Sequence, residues 1–235
     1  MGKILAVCSG SGGAGKTTVA VSLAVGAAKR GKNTILLDAS GVARSCDLLL
    51  GIESIVIVDM LDVAKQQASM NTALYPVPGR QGLRFACASL YENEGASITE
   101  LSGVLLALRA MCDVLVIDLP TGQAMLPDEV LADGDALIQI VVPNDASIRA
   151  LERVLAGLGE SCAQRYLVLN HVNARLTKKR IQYDRSSVEM LLDMPVCAMI
   201  AEDECIEMGG KKGKAAIEVD GRIAAELSSL LDDAL

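Results

Sequence analysis

The sequence predicts an α/β protein, with one domain over residues 1–235 built on a mostly parallel, twisted sheet that carries helices on both faces. Two observations predict it. Apolar runs of strand length alternate with helical patterns along the whole chain, as expected for strands covered on both sides. The apolar content is also aliphatic, because 51% of residues are hydrophobic yet the chain has one Phe, four Tyr and no Trp. A core of Leu, Val, Ile and Ala suits buried parallel strands. A domain of this size buries roughly 70–75% of its unfolded surface.

The first strand is expected over residues 4–8, running straight into a glycine-rich turn. Its apolar stretch is too short for a membrane span and is read as a strand, not as a targeting segment. Further strands are expected over 34–37, 83–87, 114–117, 136–142, 166–169 and 196–200. Helical patterns cover 17–30, 57–67, 98–111, 147–157, 187–192 and 220–235. No repeat or low-complexity linker interrupts this order. Residues 173–185 follow a strand and carry five basic side chains, and residues 208–214 have glycines and lysines without apolar periodicity. They are either solvated loops or segments lying beside a ligand or partner.

Charge and cysteine usage exclude several classes. Lys and Arg number 22 against 29 Asp and Glu, and a net charge of −7 argues against a general nucleic-acid binder. The seven cysteines are odd in number and none pair at C-x-x-C or C-x-C spacing, so neither a disulfide framework nor a zinc ribbon is supported. Buried, reduced thiols of a cytoplasmic protein are expected instead. With a single histidine, a His-based metal site or a Ser-His-Asp triad is nearly excluded.

Gly10-Ser11-Gly12-Gly13-Ala14-Gly15-Lys16-Thr17 matches G-x-x-x-x-G-K-[ST], after a strand and before a helix. This refines the expected fold to a single-domain P-loop NTPase. The glycines allow backbone N–H groups to close round a phosphate as a nest, and the following helix adds a partial positive charge. Gly10, Gly12, Gly13, Ala14, Gly15, Lys16, Thr17 and Thr18 are therefore expected to bind Mg·ATP. Lys16 reaches the β- and γ-phosphates, and the Thr17 hydroxyl serves Mg²⁺. Val114-Leu115-Val116-Ile117-Asp118 has the form of a Walker B strand, whose acid serves the same cation; an Asp in this place is otherwise a helix N-cap. Asp38, ending the second strand, is similarly placed and joins Thr17 and Asp118 as a metal candidate.

These residues together resemble the MinD/ParA family of P-loop ATPases, within the wider group that includes the nitrogenase iron protein. Leu37-Asp38-Ala39-Ser40-Gly41-Val42-Ala43-Arg44-Ser45-Cys46-Asp47 is similar to that family's first switch, typically D-x-D-x-G-x-R-x-x-D. Asp118-Leu119-Pro120-Thr121-Gly122 is similar to its second switch, D-x-P-x-G. Asn170 stands where the family places its adenine-contacting Asn, and Ile200-Ala201-Glu202-Asp203 resembles a late I-P-E-D turn, implying adenine contacts from Asn170, Glu202 and Asp203. The similarity favours the septum-site and flagellar-placement branch.

Three positions depart from the pattern. The family's signature lysine, which reaches a partner's nucleotide across a dimer, is replaced by Ser11, and the water-orienting acid of the first switch by Ser40. The end of the chain is acidic, where MinD proteins carry a basic amphipathic helix for the membrane. Gln123, after the second-switch glycine, is either a substitute water-orienting group or a solvated helix-start residue. The resemblance thus implies an ATP/ADP-dependent switch or scaffold in spatial positioning, with a protein partner, slow or absent hydrolysis, weak homodimerisation and no direct membrane or nucleic-acid binding. A metabolic P-loop enzyme of the dethiobiotin-synthetase type and a metal or Fe–S carrier ATPase are the alternatives.

Overall fold

The computed structural model describes residues 1–40, 45–89, 100–124, 126–158 and 164–235. Residues 41–44 of the first switch, 98–99 of an expected helix and Cys162 lie outside the described residues. One eight-stranded sheet organises the rest, in the order β3-β4-β2-β5-β1-β6-β7-β8. The strands are β1 (Lys3–Ser9), β2 (Thr34–Asp38), β3 (Tyr75–Pro76), β4 (Leu83–Cys87), β5 (Val114–Asp118), β6 (Ala136–Val141), β7 (Gln164–Val172) and β8 (Val196–Ala201). All neighbours pair in parallel except β3, which is antiparallel to β4 at the edge.

Both faces of the sheet are covered. Leu5 and Val7 of β1 point into one apolar layer, with Val19 and Leu23 of α1 (Lys16–Lys29) and Leu227 and Leu231 of α9 (Gly221–Ala234). Ile4, Ala6 and Cys8 point into the other, against Leu105 and Leu108 of α4 (Ser102–Ala110). A third cluster joins Leu151 of α5 (Asp145–Ala156) to Val188 of α7 (Arg185–Leu192). Every residue of β2 and β5 is buried, which is why the strands read as unbroken apolar runs.

The remaining α-helices are short, and Asp59, Asn173 and Asp203 cap three of them with their side chains. They are α2 (Ser45–Leu50), α3 (Met60–Ala64), α6 (Ala174–Lys178) and α8 (Glu204–Gly210). The helix expected over 57–67 is trimmed to α3 because Asp59 caps it, while Ile57 and Val58 donate their amides to the Tyr75 hydroxyl. Residues 173–185 are not a plain loop. Asn173 accepts from the amides of Arg175 and Leu176 to start α6, and Asp184 accepts from Ser187 N to start α7. Residues 208–214 likewise begin inside α8. The thiols of Cys8, Cys46, Cys87 and Cys112 are buried and outside any disulfide, as expected, whereas Cys197 is half-buried and Cys205 exposed.

At the centre the chain crosses from one half of the sheet to the other, with β1 between β5 and β6. The carboxyl ends of these strands open a crevice, where open α/β sheets bind ligands.

Candidate functional site

The phosphate loop fills that crevice between the end of β1 and the start of α1. Gly13 and Gly15 adopt positive φ, at 73° and 87°. No neighbour lies within 4 Å of where a Cβ would sit on Gly12 or Gly13, so this face of the loop is open to a ligand. Gly15 is closed in on the other side, since a Cβ there would run into the Asn170 amide. Gly10 has a different role from its neighbours. A Cβ on it would overlap the backbone of Ala150 in α5, so this glycine lets the helix approach and does not line the cavity.

The charged end of the site lies below the loop. Lys16 Nζ donates to Asp118 Oδ1 at 2.9 Å, and Thr17 Oγ1 donates to Asp118 Oδ2 at 2.7 Å. Burial pushes the Asp118 carboxyl up; the Lys16 ammonium pulls it back, Asp38 adds to the rise, and the Thr17 hydroxyl opposes it. Asp38 accepts at Oδ1 from Ser40 N and Ser40 Oγ, at 3.0 and 2.6 Å, and at Oδ2 from Cys46 N at 3.1 Å. The Cys46 thiol donates to Asp118 Oδ2 at 3.6 Å. Burial, then Asp38 and Asp118, push that thiol well above its ordinary range, so it is a neutral donor here. Asp38, Cys46 and Asp118 bring donor atoms within 4.8 Å of one another, all buried. Two carboxylates with the Thr17 hydroxyl form a hard oxygen set that fits Mg²⁺, the cation expected from the sequence.

The opposite end is built by β7 and β8. Asn170 Nδ2 donates to the Ala14 carbonyl at 2.8 Å, tying β7 to the phosphate loop. Glu202 Oε2 accepts from Asn173 Nδ2 at 2.9 Å, and Asp203 caps α8 through Cys205 N at 2.8 Å. Between the two ends lies a cavity of about 720 Å³, an ordinary size for a small-molecule site. Its wall includes Gly12, Gly13, Ala14, Gly15, Lys16, Thr17, Thr18, Asn170, Glu202 and Asp203. Asp118 sits beneath it, reached through Thr17 and Lys16, and Asp38 is reached through Ser40 of the cavity wall.

Gln123 is not brought to the site. It is exposed, its backbone N–H donates to the Pro120 carbonyl at 3.1 Å, and Thr121 lines the cavity in its place. Ser147, behind the cavity wall, and His171, in it, are among the residues here that were not singled out from the sequence. Ser147, capped by Asn144 in the first turn of α5, shares a hydrogen bond with Ser11 Oγ at 3.1 Å. His171 lines the cavity beside Asn170. Its position directly after Asn170 is the signal that could have found it.

With strand, nest, lysine and buried acid assembled in this way, comparison with known proteins decides the family. A model of the CobQ/CobB/MinD/ParA nucleotide-binding domain matches residues 5–216. The chain belongs to this family.

Within the CobQ/CobB/MinD/ParA family its similarity is to septum-site proteins. It is 30% identical over 229 residues to the septum site-determining protein MinD of Buchnera aphidicola subsp. Baizongia pistaciae, covering 92% of this chain and 84% of that one. It is 27% identical over 230 residues to MinD of Helicobacter pylori, covering 94% and 85%. Among solved structures, MinD of Pyrococcus horikoshii complexed with Mg-ADP superposes with a TM-score of 0.82 at 21% identity, covering 99% of this chain and 96% of that one. The MinC:MinD complex of Aquifex aeolicus gives 0.84 at 20% identity, covering 98% and 95%. These structural likenesses establish the P-loop fold. Among the described residues no helix is long and apolar enough to cross a membrane.

Proposed function

We propose that this chain binds Mg·ATP and Mg·ADP in the central cavity and acts as a nucleotide-dependent switch or scaffold in spatial positioning, with slow hydrolysis. One observation carries the binding reading. Lys16 and Thr17, adjacent on the first turn of α1, converge on the same buried carboxylate of Asp118 beneath an open glycine nest. The Lys16 ammonium is thereby held next to the nest, where it neutralises phosphate charge. Thr17, Asp38 and Asp118 are the residues that would hold the cation. When bound, the cation supplies positive charge against the phosphate oxygens.

The reading of slow turnover rests on two serines. Ser40 stands where the family's water-orienting acid would be, and its hydroxyl is already donated to Asp38. A neutral hydroxyl engaged in this way is a poor base. Ser11 stands where the signature lysine would be, and it is held inward by Ser147 on α5. It brings no charge to a partner's phosphates, so any ATP-dependent homodimer of this chain is weak. The protein partner is the output of such a switch. MinD relatives are septum-site proteins, and one solved neighbour is a complex of MinD with MinC, which supports a protein partner of this kind.

Calorimetry with Mg·ADP and Mg·ATP tests the binding reading, with micromolar or tighter binding expected. A second arm captures partners from the source cell in ATP and in ADP, and a protein retained in one state only is expected. No binding of either nucleotide by the parent chain overturns the proposal.

A further inference from the structure

His171 is the single histidine of the chain, and the backbone that carries it is bent. β7 and β8 run in parallel, but their register slips between Leu169 and Val172. Within that slip His171 takes a left-handed φ of 54°, a region that residues other than glycine rarely occupy. Such a conformation persists where the surroundings hold it, and irregularities of this kind re-aim a side chain next to a site. The surroundings here are specific. Gln182 Nε2 donates to the His171 carbonyl at 3.0 Å, and Gln182 Oε1 accepts from Asn173 N at 2.8 Å. On one side Asn170 is bonded to Ala14 of the phosphate loop, and on the other Asn173 is bonded to Glu202.

The bend delivers the imidazole to the cavity wall. His171 Nε2 lies 3.6 Å from the point that a Cβ on Gly15 would occupy, at the junction between the phosphate loop and the β7–β8 end. Among the described residues, the hydrogen bond made by His171 uses its backbone carbonyl, which leaves both ring nitrogens for a ligand. The two ends of the cavity differ in charge. Lys16 and the glycine nest serve phosphate, whereas Glu202, Asp203, Glu204 and Glu207 line the other end and repel it. An uncharged sugar and base fit that second end.

We propose that His171 contacts the nucleoside half of the bound nucleotide and contributes to its affinity. The proposal rests on the nucleotide-binding reading above. A neutral imidazole offers one donor, one acceptor and an apolar ring body, which suits a ribose or purine edge better than a triphosphate.

A single histidine makes the test direct. In the proton spectrum of the intact protein, the imidazole C–H resonances belong to His171 alone. Saturating Mg·ADP is expected to shift them and to give an intermolecular NOE to a ribose or adenine proton, while pyrophosphate gives a smaller shift. In calorimetry, His171→Asn, which keeps a residue tolerant of left-handed φ, is expected to weaken Mg·ADP about five- to tenfold, the loss of one neutral contact, and to leave pyrophosphate affinity within about twofold. Unmoved imidazole resonances at saturating ADP, or parental ADP affinity in the Asn variant, overturn the assignment. Equal shifts with pyrophosphate and ADP place the imidazole at the phosphates and also overturn it. A parent that binds ADP while His171 stays silent refutes this inference alone, whereas a parent that binds no nucleotide refutes the functional reading with it.

Discussion

Lys16→Ala probes both the ligand chemistry of the site and its internal electrostatics. The Lys16 side chain is 6% exposed and its ammonium lies 2.9 Å from Asp118, whose side chain is fully buried. A charge-assisted contact to phosphate is worth about 1.5–3 kcal/mol, which corresponds to roughly 10- to 150-fold in affinity. Because the ammonium already serves Asp118 before ligand arrives, part of the gain is offset, and the expected loss for Mg·ADP is near the low end, about 10- to 30-fold by calorimetry. The substitution also strands a buried carboxylate. If Asp118 stayed ionised, the loss of its partner would cost about 3–5 kcal/mol of stability. Asp118 escapes that cost by taking up a proton, which its burial already favours. A carboxyl whose folded pKa is raised contributes stability that is present below its unfolded value, about 3.9, and lost as pH rises through the folded value. Removing Lys16 raises the folded value further. The stability deficit of the variant is therefore expected to be small near pH 4 and to grow toward neutral pH, as read by denaturant unfolding at both. Unchanged ADP affinity would refute the phosphate assignment, and equal deficits at the two pH values would refute the Lys16–Asp118 coupling.

Other perturbations reach different parts of the molecule. Two symmetric lysine contacts absent from a dimer, at about 2 kcal/mol each, amount to roughly a thousandfold in dimer affinity. The parent should accordingly sediment as a monomer at micromolar concentration with a non-hydrolysable ATP analogue, and Ser11→Lys should form a dimer; a parental ATP-dependent dimer would show that another group has taken over the lysine's part. Ser40→Asp should raise the hydrolysis rate at least tenfold, since a positioned base or water-orienting group is worth about 10²–10⁴ in rate; a parent as fast as the variant refutes the reading of Ser40. Gly15→Ala should abolish nucleotide binding, because the new Cβ meets the Asn170 amide at a backbone held at φ 87°; retained affinity would show that the loop does not need this shape. Glu218 is pulled up by burial, but the hydrogen bonds from Lys29 and Arg80 dominate and hold it at about 2. Its stabilising contribution is thus complete above its unfolded value near 4.5 and lost as pH falls toward about 2. Arg80→Ala should move the acid-unfolding midpoint upward, and an unmoved midpoint would show that this cluster of charges is not coupled to folding.

Much of the architecture was legible from residue order, because parallel strands buried on both faces leave unbroken apolar runs such as 34–37 and 114–117. The phosphate loop was legible for a related reason: its chemistry is local, and eight consecutive residues carry the glycines, the lysine and the hydroxyl. The short elements were not. Strand β3 is two residues long and is defined by its pairing with Phe85 and Arg84 across the sheet edge. The helices α6 and α8 depend on caps from Asn173 and Asp203, and five or seven residues carry too little periodicity to announce a helix. For Gln123 the sequence left two readings, a water-orienting group or a solvated residue, and the structure places it in solvent outside the cavity lining.

What the sequence determined by itself was the alternation of strands and helices, the place of the phosphate loop, and the identity of the acids ending β2 and β5. Those follow from hydrophobic period and from motifs contained in a single turn of chain. Tertiary structure alone decided which side chains meet. Lys16 and Asp118 are separated by 102 positions, Ser11 and Ser147 by 136, and Asn170 and Ala14 by 156. Their contacts exist because β5 and β6 flank β1 and because β7 ends beside the loop. His171 belongs to the same class. Its place directly after Asn170 marks it only as a neighbour of the site along the chain, and it lines the cavity where the β7–β8 register slips between Leu169 and Val172, beside Gly15.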